Sequence, residues 1–348
     1  MNKNTVAFTL LCYNQEDVIA DAVDGVLAQS SPADEIIISD DASGDASSEI
    51  IREKFAARSS SGRILFTVNE RNIGCSANRW KVLNQVHSQY VVTADGDDIS
   101  LPNRIAVYRK VLEDIPDAVC VMTAFNQSYV DSASTAFFCP LQETILFCGC
   151  SALYRKDLFT EFGEFSSSVI DDLLLAFRAL LKGKIVLVDT PTVLKREPRD
   201  PLAVMKKIYA REGLVIATVE KMRQELQVYS SEMPSAAIDF FNSVFAHHLN
   251  GASSPEYIAK WDRYKKIIDL YSLPSWRIID KVSLSVKIAR NMKEAVKLFF
   301  LSFAFVRIMN SKRASRSARK VNFTNKVRIV EWNDVYSGRV SWPFFQIR

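Results

Sequence analysis

The sequence predicts an α/β protein: a mostly parallel sheet flanked by helices, followed by a helical C-terminal appendage. Three observations carry this expectation. Short apolar runs alternate with amphipathic stretches through the first half of the chain, several of those runs end abruptly in carboxylates or amides, and strand character gives way to long helical periodicities after Pro198–Pro201.

The elements follow in order. Val6 to Cys12 reads as a buried strand, and Glu16 to Ala28 as a helix with Val18, Ile19, Ala22, Val23, Val26 and Leu27 on its apolar face. Ile36 to Ser39, Ile64 to Val68 and Tyr90 to Ala94 read as further strands, separated by helices at Ser47 to Phe55 and Ala77 to Val86. This βαβαβαβ order requires crossover helices and hence parallel neighbours. A helix from Pro102 to Asp114 and a strand from Ala118 to Tyr129 come next, then a less regular stretch to Asp157. The helix Asp171 to Lys182 and a short strand at Ile185 to Val188 complete residues 1–200, expected to form the first domain. Residues 201–348 are expected to be mainly helical, over 203–229, 235–249, 255–271 and 276–309.

Composition narrows the class. The 348 residues are 48% hydrophobic and 24% charged with a net charge of +4, ordinary values for a folded globular chain. The six cysteines form no pair of CxxC units, and only three histidines could assist them, so reduced structural thiols are expected rather than a zinc site. The first residues lack the pattern of a signal peptide, which points to a cytoplasmic protein.

In open sheets of this kind, ligands bind beyond the carboxyl ends of the strands. Three such ends carry polar residues: Tyr13-Asn14, Asp40-Asp41, and Asp95-Gly96-Asp97-Asp98. A strand ending in several carboxylates is destabilised by mutual repulsion unless a cation compensates, and hard divalent ions favour carboxylate and phosphate oxygens. Asp-Gly-Asp-Asp is also common turn chemistry, so position rather than composition makes the case.

The ordered runs VAFTLLCYN, EIIISDDASGDAS, NERNIGCSANRW and TADGDDISLPNRI resemble the family 2 glycosyltransferases over about residues 5 to 190. That resemblance implies a GT-A fold, a nucleotide-diphosphate-sugar donor and Mn²⁺ or Mg²⁺. It also implies roles: Asp41 at the nucleobase with Asp40 nearby, Asp95 and Gly96 at the ribose and diphosphate, Asp97 as metal ligand, and Asp98 assisting. Asn72, Gly74 and Asn78 fall in the segment that surrounds the nucleotide, and Pro102 and Arg104 in the same downstream motif. Asp172 matches the catalytic aspartate that deprotonates the acceptor hydroxyl in an inverting transfer, while Asp171 stands where glutamate is more usual. Asp at a helix start is equally a favourable partner of the helix dipole, and the two readings are compatible.

A Gln-x-x-Arg-Trp motif of processive synthases is absent, which favours single-sugar transfer to a glycan or lipid-linked glycan in cell-surface glycan synthesis. Between Trp276 and Lys320, twelve basic residues are opposed only by Asp280 and Glu294. Such a stretch suits a peripheral site on the inner face of a cell membrane or a solvated helix face equally well. It matches no nucleic-acid module. A nucleotidyltransferase and a catalytically silent sugar-nucleotide or glycan-binding relative are the competing classes; the first would carry a glycine-rich loop that Leu11 to Gln15 lacks.

Overall fold

The computed structural model describes residues 4–56, 63–129, 135–138, 149–197, 212–231, 233–252 and 327–331, together with Ala259, Asp262, Lys266 and Asp334. The helix expected over 276–309 and the basic stretch lie outside these residues. No helix among the described residues is long and apolar enough to cross a membrane.

Among the described residues ten strands form one sheet: β1 (Val6–Cys12), β2 (Glu35–Asp40), β3 (Arg63–Val68), β4 (Tyr90–Asp95), β5 (Ile99–Ser100), β6 (Ala118–Tyr129), β7 (Thr135–Phe138), β8 (Ala152–Arg155), β9 (Lys184–Glu197) and β10 (Val327–Val330). The helices are α1 (Ile19–Leu27), α2 (Ser47–Ala56), α3 (Cys75–Leu83), α4 (Arg104–Asp114), α5 (Asp157–Thr160), α6 (Asp171–Lys182), α7 (Glu212–Tyr229) and α8 (Ser235–Ala252). The main order is β10-β9-β6-β8-β4-β1-β2-β3, with β5 on β9 and β7 on β6.

The first four strands are all parallel, as expected, and run β3-β2-β1-β4. The chain winds outward from β1 through β2 to β3 and then returns to the other side of β1. This places a topological switch point between β1 and β4, where a crevice opens beyond the strand ends. Register sharpens the effect: Cys12 pairs with Asp40, and Leu11 with Asp95, so the polar strand ends lie nearly level.

Beyond β4 the sheet is mixed. β8 runs antiparallel to both β4 and β6, while β6 and β9 are parallel. The irregular stretch before Asp157 thus contains β7, a 3₁₀ turn (Gly149–Ser151) and β8, none of which showed a clear period in the sequence. β9 continues well past Val188, because register shifts between Thr123 and Phe125 of its partner β6 accommodate Pro191 within the strand. β10, from the far end of the chain, adds antiparallel to β9.

Strand alternation divides the core into two layers. Val6, Phe8, Leu10, Ile36, Ile38, Val92 and Ala94 face α1, α2 and α4, meeting Val23, Val26, Ile51, Ile105 and Leu112. Ala7, Leu11, Ile37 and Val91 face α3 and α6, and α7 and α8 close that layer with Val219, Met222, Leu226, Phe241 and Phe245. Leu173 to Leu180 of α6 are buried without interruption, as expected of a helix covered on both sides.

One ion pair holds α6 to α7. The Arg178 guanidinium is fully buried and reaches Glu225 through Nη2 at 2.7 Å and through Nε at 3.1 and 3.2 Å. Its other donors reach the carbonyls of Leu158 and Gly163, and the rings of Phe162 and Phe165 each lie 5.3 Å from its central carbon. Removing one partner of such a pair leaves a bare buried charge, at a cost of about 3–5 kcal/mol. Glu225→Gln should therefore lower stability by about that amount in urea unfolding, whereas exposed Glu49→Gln should change it by less than about 0.5 kcal/mol.

Candidate functional site

Two clusters of polar side chains meet at the carboxyl ends of β1, β2 and β4. The first surrounds β4. One carboxylate oxygen each from Asp95, Asp97 and Asp98 can be chosen so that all three lie within 4.8 Å of one another. Gly96 makes this turn possible: its N–H donates to Leu11 O at 2.8 Å, and a Cβ there would lie 3.0 Å from that oxygen and collide with Gln15 Oε1. Three hard oxygen donors from one turn fit a divalent ion of the Mg²⁺ or Mn²⁺ class.

The three carboxylates have different surroundings. Asp97 is half-buried. Asp98 is buried, accepts the Arg196 N–H at 3.0 Å, and has Lys195 Nζ 3.8 Å from its second oxygen, which makes no hydrogen bond among the described residues. Burial pushes the Asp98 carboxyl up to about 6, Lys195 pulls it down, and Asp97 and Asp95 add to the rise. Asp95 is tied to Arg79 on α3, whose Nη2 donates to it at 2.7 Å.

Arg79 is the centre of the arrangement. Its side chain is 5% exposed, and its Nε donates to Asp171 at the start of α6. Burial alone would lower the guanidinium pKa, but Asp171 and Asp95 raise it well above its ordinary value. A permanent cation thus links α3, β4 and α6, and it brings Asp171–Asp172 to the β4 carboxylates. Asp172 is half-buried, accepts the Leu173 N–H at 2.8 Å, and packs so closely on Gly149 that a Cβ there would lie 2.9 Å from its own. Gly149 O in turn accepts from Thr93 of β4 at 2.5 Å.

The second cluster surrounds Asp41. Its Oδ1 accepts from Asn69 Nδ2 at 2.7 Å and from the Ile73 N–H at 3.0 Å; its Oδ2 accepts the Gly74 N–H at 2.9 Å. Asn78 Oδ1 joins this network, accepting from Ser39 at 2.7 Å and from Asn69 at 3.1 Å. Gly74 adopts φ 88°, a left-handed conformation suited to glycine, and Asn72 Oδ1 accepts its N–H at 3.0 Å. Ala42 also lies in the left-handed region, at φ 60°, so the turn after Asp41 carries backbone strain.

The remaining expected residues hold the frame. Asp40 is fully buried, and both its oxygens accept from Ser43, which closes the turn after β2. Asn14 accepts the Gly44 N–H at 2.8 Å and donates its own N–H to Ser43, joining the β1 and β2 ends. Tyr13 is 47% exposed at the rim.

Arg79, Asn69 and Ser39 did not stand out in the sequence. The signal for Arg79 was indirect: a cluster of carboxylates at one strand end demands a nearby cation, and Arg79 supplies it from within the chain. Arg104 is also fully buried, donating to Thr93 O at 2.8 Å and Ser100 Oγ at 2.9 Å beneath the same turn.

The raised Asp98 value has a signed consequence. Between about pH 4 and 6 the folded state holds a proton that the unfolded chain has released, so stability falls as pH rises through this window. Melting temperatures of wild type against Asp98→Asn should diverge across that window.

Comparison with known proteins agrees with this architecture. Residues 9–163 match the model described as glycosyl transferase family 2. An uncharacterised glycosyltransferase of Methanocaldococcus jannaschii is 31% identical over 119 residues, 34% of this chain and 40% of the relative. The aligned region spans only about two fifths of the length of the first curated relatives, 38% to 40%. In fold, the chain resembles TarS of S. aureus in complex with UDP, with TM-score 0.55, 15% identity and coverage of 94% and 96% of the two chains. It also resembles a mannosyltransferase of Pyrobaculum calidifontis in complex with GDP-Man and Mn²⁺, with TM-score 0.52, 15% identity and coverage of 88% and 86%. Residues 9–163 are thus similar in sequence to glycosyl transferase family 2, on a chain with a GT-A fold.

Proposed function

We propose that the chain moves a single sugar from a nucleotide-diphosphate-sugar to an acceptor hydroxyl, with inversion at the anomeric carbon. The observation that carries this reading is the convergence, through Arg79, of the Asp95-Asp97-Asp98 turn and the Asp171-Asp172 helix start. Donor chemistry needs a cation at the diphosphate, which the turn would hold, and acceptor chemistry needs a base, which the helix start would supply.

Asp97 and Asp95 would hold a divalent ion, with Asp98 assisting. Bound there, the ion would offset diphosphate charge and stabilise the departing nucleotide. The two solved relatives in fold were captured with UDP and with GDP-Man plus Mn²⁺, which supports a donor of this class. Asp41, at the Asn69–Asn78 network, has one accepting position left on Oδ2, enough for a nucleobase N–H. Asn72, Gly74 and Asn78 shape the loop beside it, and Tyr13 and Asn14 form its rim.

Asp172 is the base of this proposal. It lies one residue from the ion-paired Asp171, so a single helix start serves both purposes: Asp171 docks on Arg79 while Asp172 receives the acceptor proton. The acceptor is proposed to be a glycan or lipid-linked glycan of cell-surface synthesis. The basic stretch from Arg277 to Lys320 supports a cytoplasmic protein that lies on the membrane's inner face, since anionic lipid attracts such segments.

A thermal-shift panel of UDP-, GDP-, CMP- and dTDP-sugars should show one nucleotide class that stabilises the protein, more strongly with Mn²⁺ than without. Silence across the panel would sink the proposal. With that donor, Asp172→Asn should lower kcat by roughly 10²-fold or more while leaving donor affinity within about twofold, as expected for loss of a general base. Full turnover in that variant would remove Asp172 from the chemistry.

A further inference from the structure

We propose that Thr218, on α7, is a positioning residue for Asp172, so that the helical region beyond the matched family segment forms part of the catalytic unit. This inference rests on Asp172 being the base.

Helix α6 begins without a cap of its own. The residue at its N-cap position is Ile170, whose side chain carries no oxygen, so the first turn must find partners elsewhere. A hydroxyl from α7 supplies one, and a hydroxyl from α3 holds the carbonyl just before the helix. Ser76 on α3 donates to Val169 O at 2.8 Å, and Thr218 accepts the Ile170 N–H at 2.8 Å. The Thr218 hydroxyl donates its own proton to Leu214 O at 2.5 Å, one turn back in α7. That back-bond fixes the rotamer and leaves the oxygen lone pairs facing Ile170.

Thr218 is fully buried, and Asp171 and Asp172 follow Ile170 directly. The turn is therefore clamped on consecutive peptides: Ser76 at 169, Thr218 at 170, and Arg79 on the side chain of 171. Asp172 accepts the Leu173 N–H at 2.8 Å and the Gly149 N–H at 3.5 Å, and as the second residue after Ile170 its carboxylate is placed by the backbone of that clamped turn. A shift of the Ile170 peptide moves the base relative to the β4 carboxylates, and displacement of about 1 Å can cost roughly 10²-fold in rate.

Neither Ser76 nor Arg79 carries this further: both belong to α3, inside residues 9–163. Thr218 lies outside them and ties the turn to the helix that also carries Glu225, the partner of Arg178 on α6. One helix thus grips α6 at two places, near its start and along its body.

The test compares Thr218→Val, which keeps the shape but removes the acceptor, with Thr218→Ser, which keeps the acceptor. Hydrogen exchange of the Ile170 amide is read first, since it needs no donor. It should rise at least about tenfold in the Val variant and stay within about threefold of wild type in the Ser variant. Turnover is then followed as nucleotide release from UDP-GlcNAc and GDP-mannose with Mn²⁺, alongside Asp172→Asn. The Val variant should lose about ten- to a hundredfold in kcat with donor KM unchanged, and Ser should restore it. If Val does not fold, Thr218→Ala takes its place with the same expected direction. Unchanged Ile170 exchange overturns the clamp whatever the donor. Rapid exchange with undiminished kcat, where Asp172→Asn is impaired, overturns the positioning role alone; undiminished kcat in both variants overturns it together with the assignment of the base.

Discussion

The buried guanidinium of Arg79 is what allows so many carboxylates to occupy one place. Pairs of ionised oxygens within 4.8 Å repel by roughly 3–4 kcal/mol at an effective dielectric constant of about 20. Asp171 and Asp172 add two more negative charges at the adjoining helix start. Arg79 meets Asp95 and Asp171 at once, with one nitrogen for each. A lysine could not do this, because its single ammonium has no rigid fork to span two acceptors. The geometry of the crevice is thus set by a planar cation as much as by the sheet.

Within that frame, acidic residues that look alike in sequence divide into two groups. Asp40 and Asp171 spend their carboxylates on the protein itself, closing the turn after β2 and docking α6. Asp41 is intermediate, since it anchors the loop at Ile73 and Gly74 while retaining accepting capacity. Asp98 pairs with the end of β9 and is held towards its neutral form by burial. The structural group lends rigidity to the remaining carboxylates: a polar crevice whose walls are already hydrogen-bonded loses little on binding a ligand, the general benefit of preorganisation.

This division explains how far the sequence could be read. Strands β1 to β4 and helix α6 were legible because continuous apolar runs bounded by polar residues leave few alternatives. The places of Asp95 and Asp97 at a strand end and of Asp172 at a helix start were legible because each follows such a run or opens such a helix. The antiparallel β8 was not, since four residues between a 3₁₀ turn and a short helix carry no period. The extension of β9 across Pro191 was hidden for a related reason: a proline normally ends a strand, and only the irregular partner β6 makes room for it. Arg79 escaped because its role depends on two partners 16 and 92 residues away. No local pattern encodes a contact of that kind; only the charge imbalance at β4 hints at it.

The same limit applies to the boundary between the two halves of the chain. Composition changes near residue 200, which suggests a division there, yet the contacts run across it. Val219, Met222 and Leu226 of α7 and Phe241 and Phe245 of α8 complete the core layer over α6. Val327 to Val330 extend the sheet on β9, whose other end supplies the Arg196 N–H to Asp98. An N–H before the first turn of α6 is satisfied by a hydroxyl from α7, and the buried arginine of α6 by a glutamate from α7. Packing, rather than composition, therefore decides where the core ends, and by that measure α7 stands inside it.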